Sequence, residues 1–186
     1  MKKMLLLTLV VIVAARLTTR AQSFQKGTNV VAVGVGLGSS LGSFTSSSSM
    51  PAFSVQYERG VWDIGGPGVI SLGGYVGIKS FKYSTHAGGY DFSEKWNYTI
   101  IGLRSAYHYN GLGSDNLDVY GGAMLSYNIL KYHYTGEGTG DNGSYGSTAG
   151  LTLYIGGRYF FAPAVAAFAE LGYGVSYLTL GLAFKL

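Results

Sequence analysis

Few residues in this chain are equipped to do chemistry. Nucleophilic catalysis needs a Ser or Cys beside a His that a carboxylate orients. The chain has no Cys and three His, at 86, 108 and 133. His108 and Asp118 flank a turn-like segment, 110–116, and a turn centred on Gly113 would bring the two side chains face to face. A lipid-A deacylase or acyltransferase barrel would carry its His and Ser near the outer rim, on the lipid-facing side. No His-Xaa-Ser element stands in that position, so His108 and Asp118 read as an internal hydrogen-bonded pair, since enclosed polar groups must find partners. His86 and His133 fall in loop-like sequence with no second ligand at metal spacing. Gly34, Gly36 and Gly38 are spaced like a phosphate loop, but no helical pattern follows. No catalytic, metal or cofactor site is expected. What remains are single charges set into apolar, Gly-rich segments: Glu58, Lys79, Arg104, Asp118, Arg158 and Glu170.

The elements that would position those charges are strands. Period-2 alternation recurs along most of the sequence, broken by turn-rich segments. It predicts eight strands, at 28–38, 52–59, 68–81, 98–109, 117–130, 148–161, 165–173 and 177–186. In each, one face is apolar (Val31, Val33 and Val35 in the first; Leu178, Leu180 and Leu182 in the last). The other carries Gly, Tyr and the isolated charges. Long polar connections at 39–50, 82–95 and 135–147 alternate with shorter ones at 110–116 and 162–164. The pattern fits long outer loops and short periplasmic turns. Two connections fit less well, since 60–67 is long for a periplasmic turn and 174–176 short for an outer loop.

The first residues read as a secretory signal. Lys2 and Lys3 precede a twelve-residue apolar run, 4–15, and small residues at Thr18, Thr19 and Ala21 supply a cleavage site. The run is too short for an ordinary membrane helix. Residues 1–21 are therefore expected to be removed, leaving Gln22 first, with cleavage after Ala15 as an alternative; the mature domain is 22–186. Of the 13 Lys and Arg, four leave with the signal, so nine remain against nine Asp and Glu and the mature chain is neutral. That removes the main support for nucleic-acid binding. The absence of Cys also leaves no disulfide framework or lipoprotein anchor.

Alternating faces suit either a soluble barrel with an apolar interior or a membrane barrel with an apolar exterior. The polar faces decide for the second. With 30 Gly, 16 Tyr and only 12% charged residues in the chain, they suit a narrow lumen, where small residues lie beside a few large ones. The expectation is an all-β, transmembrane, antiparallel up-and-down β-barrel of eight strands. Glu58, Lys79, Arg104, His108, Asp118, Arg158 and Glu170 would form a structural polar network in its lumen. Aromatics at 57, 62, 109, 159 and 161 would girdle the periplasmic interface, and Trp96 and Tyr98 the outer one. A closing turn centred on Ala164 would pair Arg158 with Glu170, with Tyr154 and Tyr177 as further hydrogen-bond donors.

The last residues, Thr179-Leu180-Gly181-Leu182-Ala183-Phe184-Lys185-Leu186, resemble the barrel-assembly signal of outer-membrane proteins, with Gly181, Phe184 and Leu186 at its marked positions. The segment Gly157-Arg158-Tyr159-Phe160-Phe161 followed by Phe168-Ala169-Glu170-Leu171-Gly172-Tyr173-Gly174 is similar to the closing hairpin of the outer-membrane β-barrel domain family common in Bacteroidota, which is related in form to OmpA/OmpX-type small barrels. The resemblance implies an outer-membrane location and this fold, and for most members no known activity.

The leading functional expectation is a non-enzymatic barrel of a Gram-negative outer membrane, with loops extracellular and termini periplasmic. Its side-chain-filled lumen would serve no general diffusion, and its role would be structural or one of surface interaction. The alternatives are an accessory subunit of a larger outer-membrane transport or assembly complex, and a lipid-modifying barrel enzyme. The expected partners are outer-membrane lipid, the barrel-assembly machinery during biogenesis, and such a larger complex. No nucleic acid is expected.

Overall fold

The computed structural model describes residues 24–42, 48–87, 90–135 and 146–186. The expected signal segment, 1–21, and much of the connections expected at 39–50 and 135–147 lie outside these. Eight strands follow one another: β1 (Asn29–Leu37), β2 (Ser48–Asp63), β3 (Gly68–Ala87), β4 (Tyr90–Tyr109), β5 (Leu117–Thr135), β6 (Thr148–Ala162), β7 (Val165–Tyr173) and β8 (Leu178–Lys185). Each pairs antiparallel with its sequence neighbours, and β1 closes on β8 through a register that sets Val31 opposite Phe184 and Val33 opposite Leu182. Closure gives the backbone of a membrane strand its hydrogen-bond partners on both sides.

Alternation puts the apolar set outside. Leu103 is 77% exposed, and Val33, Val55, Val76, Ile101, Leu125, Leu153, Ile155, Leu171 and Leu182 join it in a continuous belt. The seven isolated charged and His residues point inward and are buried. An apolar exterior over a polar interior inverts the soluble arrangement. The fold is an eight-stranded transmembrane β-barrel.

The wall closes tightly because Gly lines the lumen where bulk must sit opposite. At Gly156 a Cβ would lie 2.8 Å from both the Glu170 side chain and the Tyr120 ring. Gly60 makes room in the same way for the backbone of Gln25.

Several boundaries differ from expectation. The segment 82–95 is not a loop: β3 and β4 run 20 residues each and pair as far as Ala87 and Tyr90. β5 reaches Thr135, so His86 and His133 lie on strands. These extensions are polar, and polar composition reads as loop, yet a ladder outside the membrane needs only backbone bonds. β1 and β7 have nine residues and β8 has eight, close to what a membrane crossing takes, so β3, β4 and β5 rise beyond the rim as a protruding sheet. The misfit at 60–67 also resolves. β2 continues through a bulge after Gly60 to Asp63, leaving a four-residue turn at 64–67. Tyr98 is 7% exposed and faces inward, and Trp96 packs partly against the interior, so neither belongs to an outer girdle. Trp62, Tyr57, Tyr109, Tyr159 and Phe161 are exposed around the short-turn end, and Tyr173 and Tyr177 mark the other rim.

Candidate functional site

The lumen holds two linked ion clusters, each assembled from different strands because every inward position meets neighbours across the barrel as well as along the sheet. The lower cluster lies toward the short-turn end. Arg158 of β6 donates from Nη1 to Asp118 Oδ2 at 3.2 Å and from Nη2 to Glu58 Oε1. His108 Nδ1 meets Asp118 Oδ1 at 2.8 Å, and its Nε2 lies 3.1 Å from Ser71 Oγ. Ser71 Oγ in turn lies 3.3 Å from both the Glu58 carboxylate and the Ala106 carbonyl. Arg158 is 2% exposed and His108 is fully buried. Burying such groups costs least when they are paired, and each of these has an opposite partner.

The upper cluster is built on Arg104 of β4. Its Nη2 donates to Glu170 Oε1 at 2.7 Å and its Nη1 to Gln56. Tyr120 links the two clusters: its hydroxyl donates to Glu170 at 2.9 Å while the Arg158 guanidinium stacks 4.4 Å from its ring. Arg104 stacks likewise on Tyr154, at 4.3 Å. These contacts supply the cation–π attraction that a desolvated guanidinium finds over an aromatic face. Lys79 stands apart toward the other end, 3.4 Å from the Gly38 and Met50 carbonyls. A cavity of about 30 Å³ beside Arg104, lined also by Tyr75, Met124 and Glu170, has room for a water or two.

The short-turn end is closed by a residue outside every strand. Phe24 stacks on His108 with ring centroids 3.7 Å apart and planes 12° from parallel, and it is buried. Asn110 holds its carbonyl at 2.9 Å, and the turn behind it is pinned by Gly27 N–H donating to the Gly60 carbonyl at 2.8 Å.

The expected pairing of Arg158 with Glu170 does not occur. The closing turn is Pro163-Ala164, and an irregularity at Phe161 shifts the register, so Arg158 lies opposite Phe168 and Glu170 opposite Gly156. The two charges take partners on other strands. Tyr177 is exposed on the outside and donates nothing to either, and Tyr154 donates to the Ser105 carbonyl at 3.1 Å. His108 lies opposite Tyr120 and not Asp118, so that register too is displaced by two, but the diagonal reach still closes the bond. Ser71, Gln56, Tyr120 and Tyr154 fall on the inward faces that alternation assigns. Their cross-barrel partners carry no linear signal, and neither does the seat of Phe24.

Ser71, His108 and Asp118 have the hydrogen-bond order of a nucleophilic triad. The surroundings deny it the chemistry. Ser71 is 1% exposed, its strand backbone is engaged on both sides by Gly60 and Ala106, and Phe24 roofs the His. An acyl substrate has no approach to the hydroxyl.

No protein-family model matches the chain, and no curated protein matches it. Solved structures do. The chain is similar to Ail, the attachment invasion locus protein of Yersinia pestis, solved in complex with the heparin analogue sucrose octasulfate: TM-score 0.50, 11% identity, 87% of this chain and 96% of that one. It is equally similar to the N-terminal β-barrel domain of Pseudomonas aeruginosa OprF: TM-score 0.50, 14% identity, 87% of this chain and 98% of that one. At such identity the likeness is one of fold, and the fold is that of small outer-membrane β-barrels.

Proposed function

We propose that this protein is a non-enzymatic outer-membrane β-barrel of a Gram-negative bacterium, with a structural or surface-contact role carried by the end where β3, β4 and β5 protrude. The observation that carries this reading is the lumen itself: two guanidinium-centred clusters under a Phe24 cap fill the space a solute or substrate would need. Eight strands leave an interior that side chains just fill. The polar network is structural in this reading, and its burial supports that. One structural neighbour is an attachment invasion locus protein, which agrees with a surface-contact role.

In the same reading residues 1–21 are removed on export, and Gly181, Phe184 and Leu186 serve the assembly machinery. Both ends of β1 to β8 pairing depend on this last strand, where Phe184 lies opposite Val31 and Val165. Leu186 N–H donates to the Asn29 carbonyl at 2.9 Å. Phe24, the first described residue, and Leu186 share the short-turn end, which this reading puts in the periplasm.

Epitope tags test the orientation and the location together. A tag inserted between residues 88 and 89 should be labelled on intact cells, and one at Gly113 only after the outer membrane is permeabilised. Labelling of the Gly113 tag alone on intact cells, or of neither after permeabilisation, would overturn the assignment.

A further inference from the structure

His108 sits where a count of protons decides its charge. The ring is fully buried, with Nδ1 2.8 Å from Asp118 Oδ1 and Nε2 3.1 Å from Ser71 Oγ. A neutral imidazole has one N–H and one bare nitrogen. With the proton on Nε2, the bare Nδ1 would point its lone pair at a carboxylate. With the proton on Nδ1, Ser71 must give its only hydrogen to Nε2. Glu58 Oε2, 3.3 Å from the same hydroxyl, then loses that donor. The doubly protonated ring satisfies the whole set. Nδ1–H donates to Asp118, Nε2–H donates to Ser71, and Ser71 passes its hydrogen to Glu58.

The charges around the ring agree. Glu58 of β2 and Asp118 of β5 share the single guanidinium of Arg158 from β6, and both carboxylates face His108. A charged ring makes that group two cations against two anions, the balance that burial favours. The other groups near the ring leave it so. β3 contributes Ser71, β5 the Tyr120 ring at 5.2 Å, and β1 the apolar Val30 and Ala32. Glu170 of β7 is held by Arg104 and Tyr120, and Lys185 of β8 stands over the Phe160 ring at 5.9 Å. Phe24 lies flat on His108, and its face is also 5.9 Å from the Arg158 guanidinium. A desolvated cation under an aromatic face gains an attraction that a neutral ring lacks.

We infer that His108 is an imidazolium that latches the short-turn end: Phe24 stays seated while the ring carries both protons and loosens when one is withdrawn. Withdrawal leaves Glu58 and Asp118 against Arg158 alone and takes the cation from beneath the cap. This makes the cap sensitive to pH, a property that goes beyond a closed lumen and does not depend on which side of the membrane the end faces.

The test uses the mature barrel folded in detergent micelles and carrying H86Q/H133Q, so that His108 is its only imidazole. With the ring nitrogens labelled for NMR, both should bear protons at about pH 7. The pH is then raised until one proton leaves. The Gly27 amide, which donates to the Gly60 carbonyl at 2.8 Å behind Phe24, reports the seat. Its protection from hydrogen exchange, corrected for the intrinsic rate, should fall about tenfold, the worth of one desolvated cation–π contact. Amides of the β4–β5 ladder should keep theirs. H108Q should show the lower Gly27 protection at both pH values; if it does not fold, the titration of the parent decides alone. A bare ring nitrogen at the starting pH would overturn the charge. Gly27 protection unchanged after the proton leaves would overturn the latch, as would a loss shared by the β4–β5 ladder, which would mean unfolding of the whole barrel.

Discussion

Arg158 shows how the residue scale works in this lumen. Its guanidinium holds two carboxylates from strands that do not adjoin each other, so its removal would leave Glu58 and Asp118 buried together with only His108 beside them. Arg158→Ala should lower unfolding stability in vesicles by about 3–5 kcal/mol, the range for breaking a buried pair from one side. A double-mutant cycle of Arg104 with Glu170 should show strong coupling, and the cycle of Arg158 with Glu170 little. Strong coupling in the second cycle would mean the closing hairpin has the other register. Phe24→Ala removes a buried ring and should cost about 3 kcal/mol; an unchanged midpoint would show that the cap is not seated on His108. A fluorophosphonate probe should leave Ser71 unlabelled in the folded barrel, and labelling there would revive the enzymatic reading. Which face each of the strand residues occupies was legible from alternation; the seat of Phe24 was not. The partners were not, because a single irregularity at Phe161 moves every pairing in the closing hairpin, and contacts across the lumen join residues far apart in sequence.

At the scale of elements, the order and number of strands follow from period-2 patterning, and β7 matches its expected span, 165–173. The protruding sheet does not, because hydropathy reports burial and this part of β3, β4 and β5 runs beyond the apolar belt. Hydrogen exchange should find the β3 and β4 amides from Ser80 to Ser84 and from Ser93 to Asn97 protected; exchange at loop rates would restore the loop reading. The last strand gives a second prediction. Deleting Phe184 to Leu186 removes the end of the β1–β8 seam and should block membrane insertion while leaving export intact. Surface display of a tag at 88–89 in that truncation would remove the claim that these residues act in assembly.

The barrel as a whole is arranged inside out: an apolar belt faces lipid, and the charges it cannot expose there are gathered within. In the proposed reading this interior is closed to solutes. That is tested most directly by sugar flux into liposomes in which the protein is shown to be folded by running faster unheated than boiled on a detergent gel. Swelling rates should be no higher than those of protein-free liposomes, because the Arg158 and Arg104 clusters and the Phe24 cap occupy the lumen. Swelling that grows with the amount of folded barrel would contradict it.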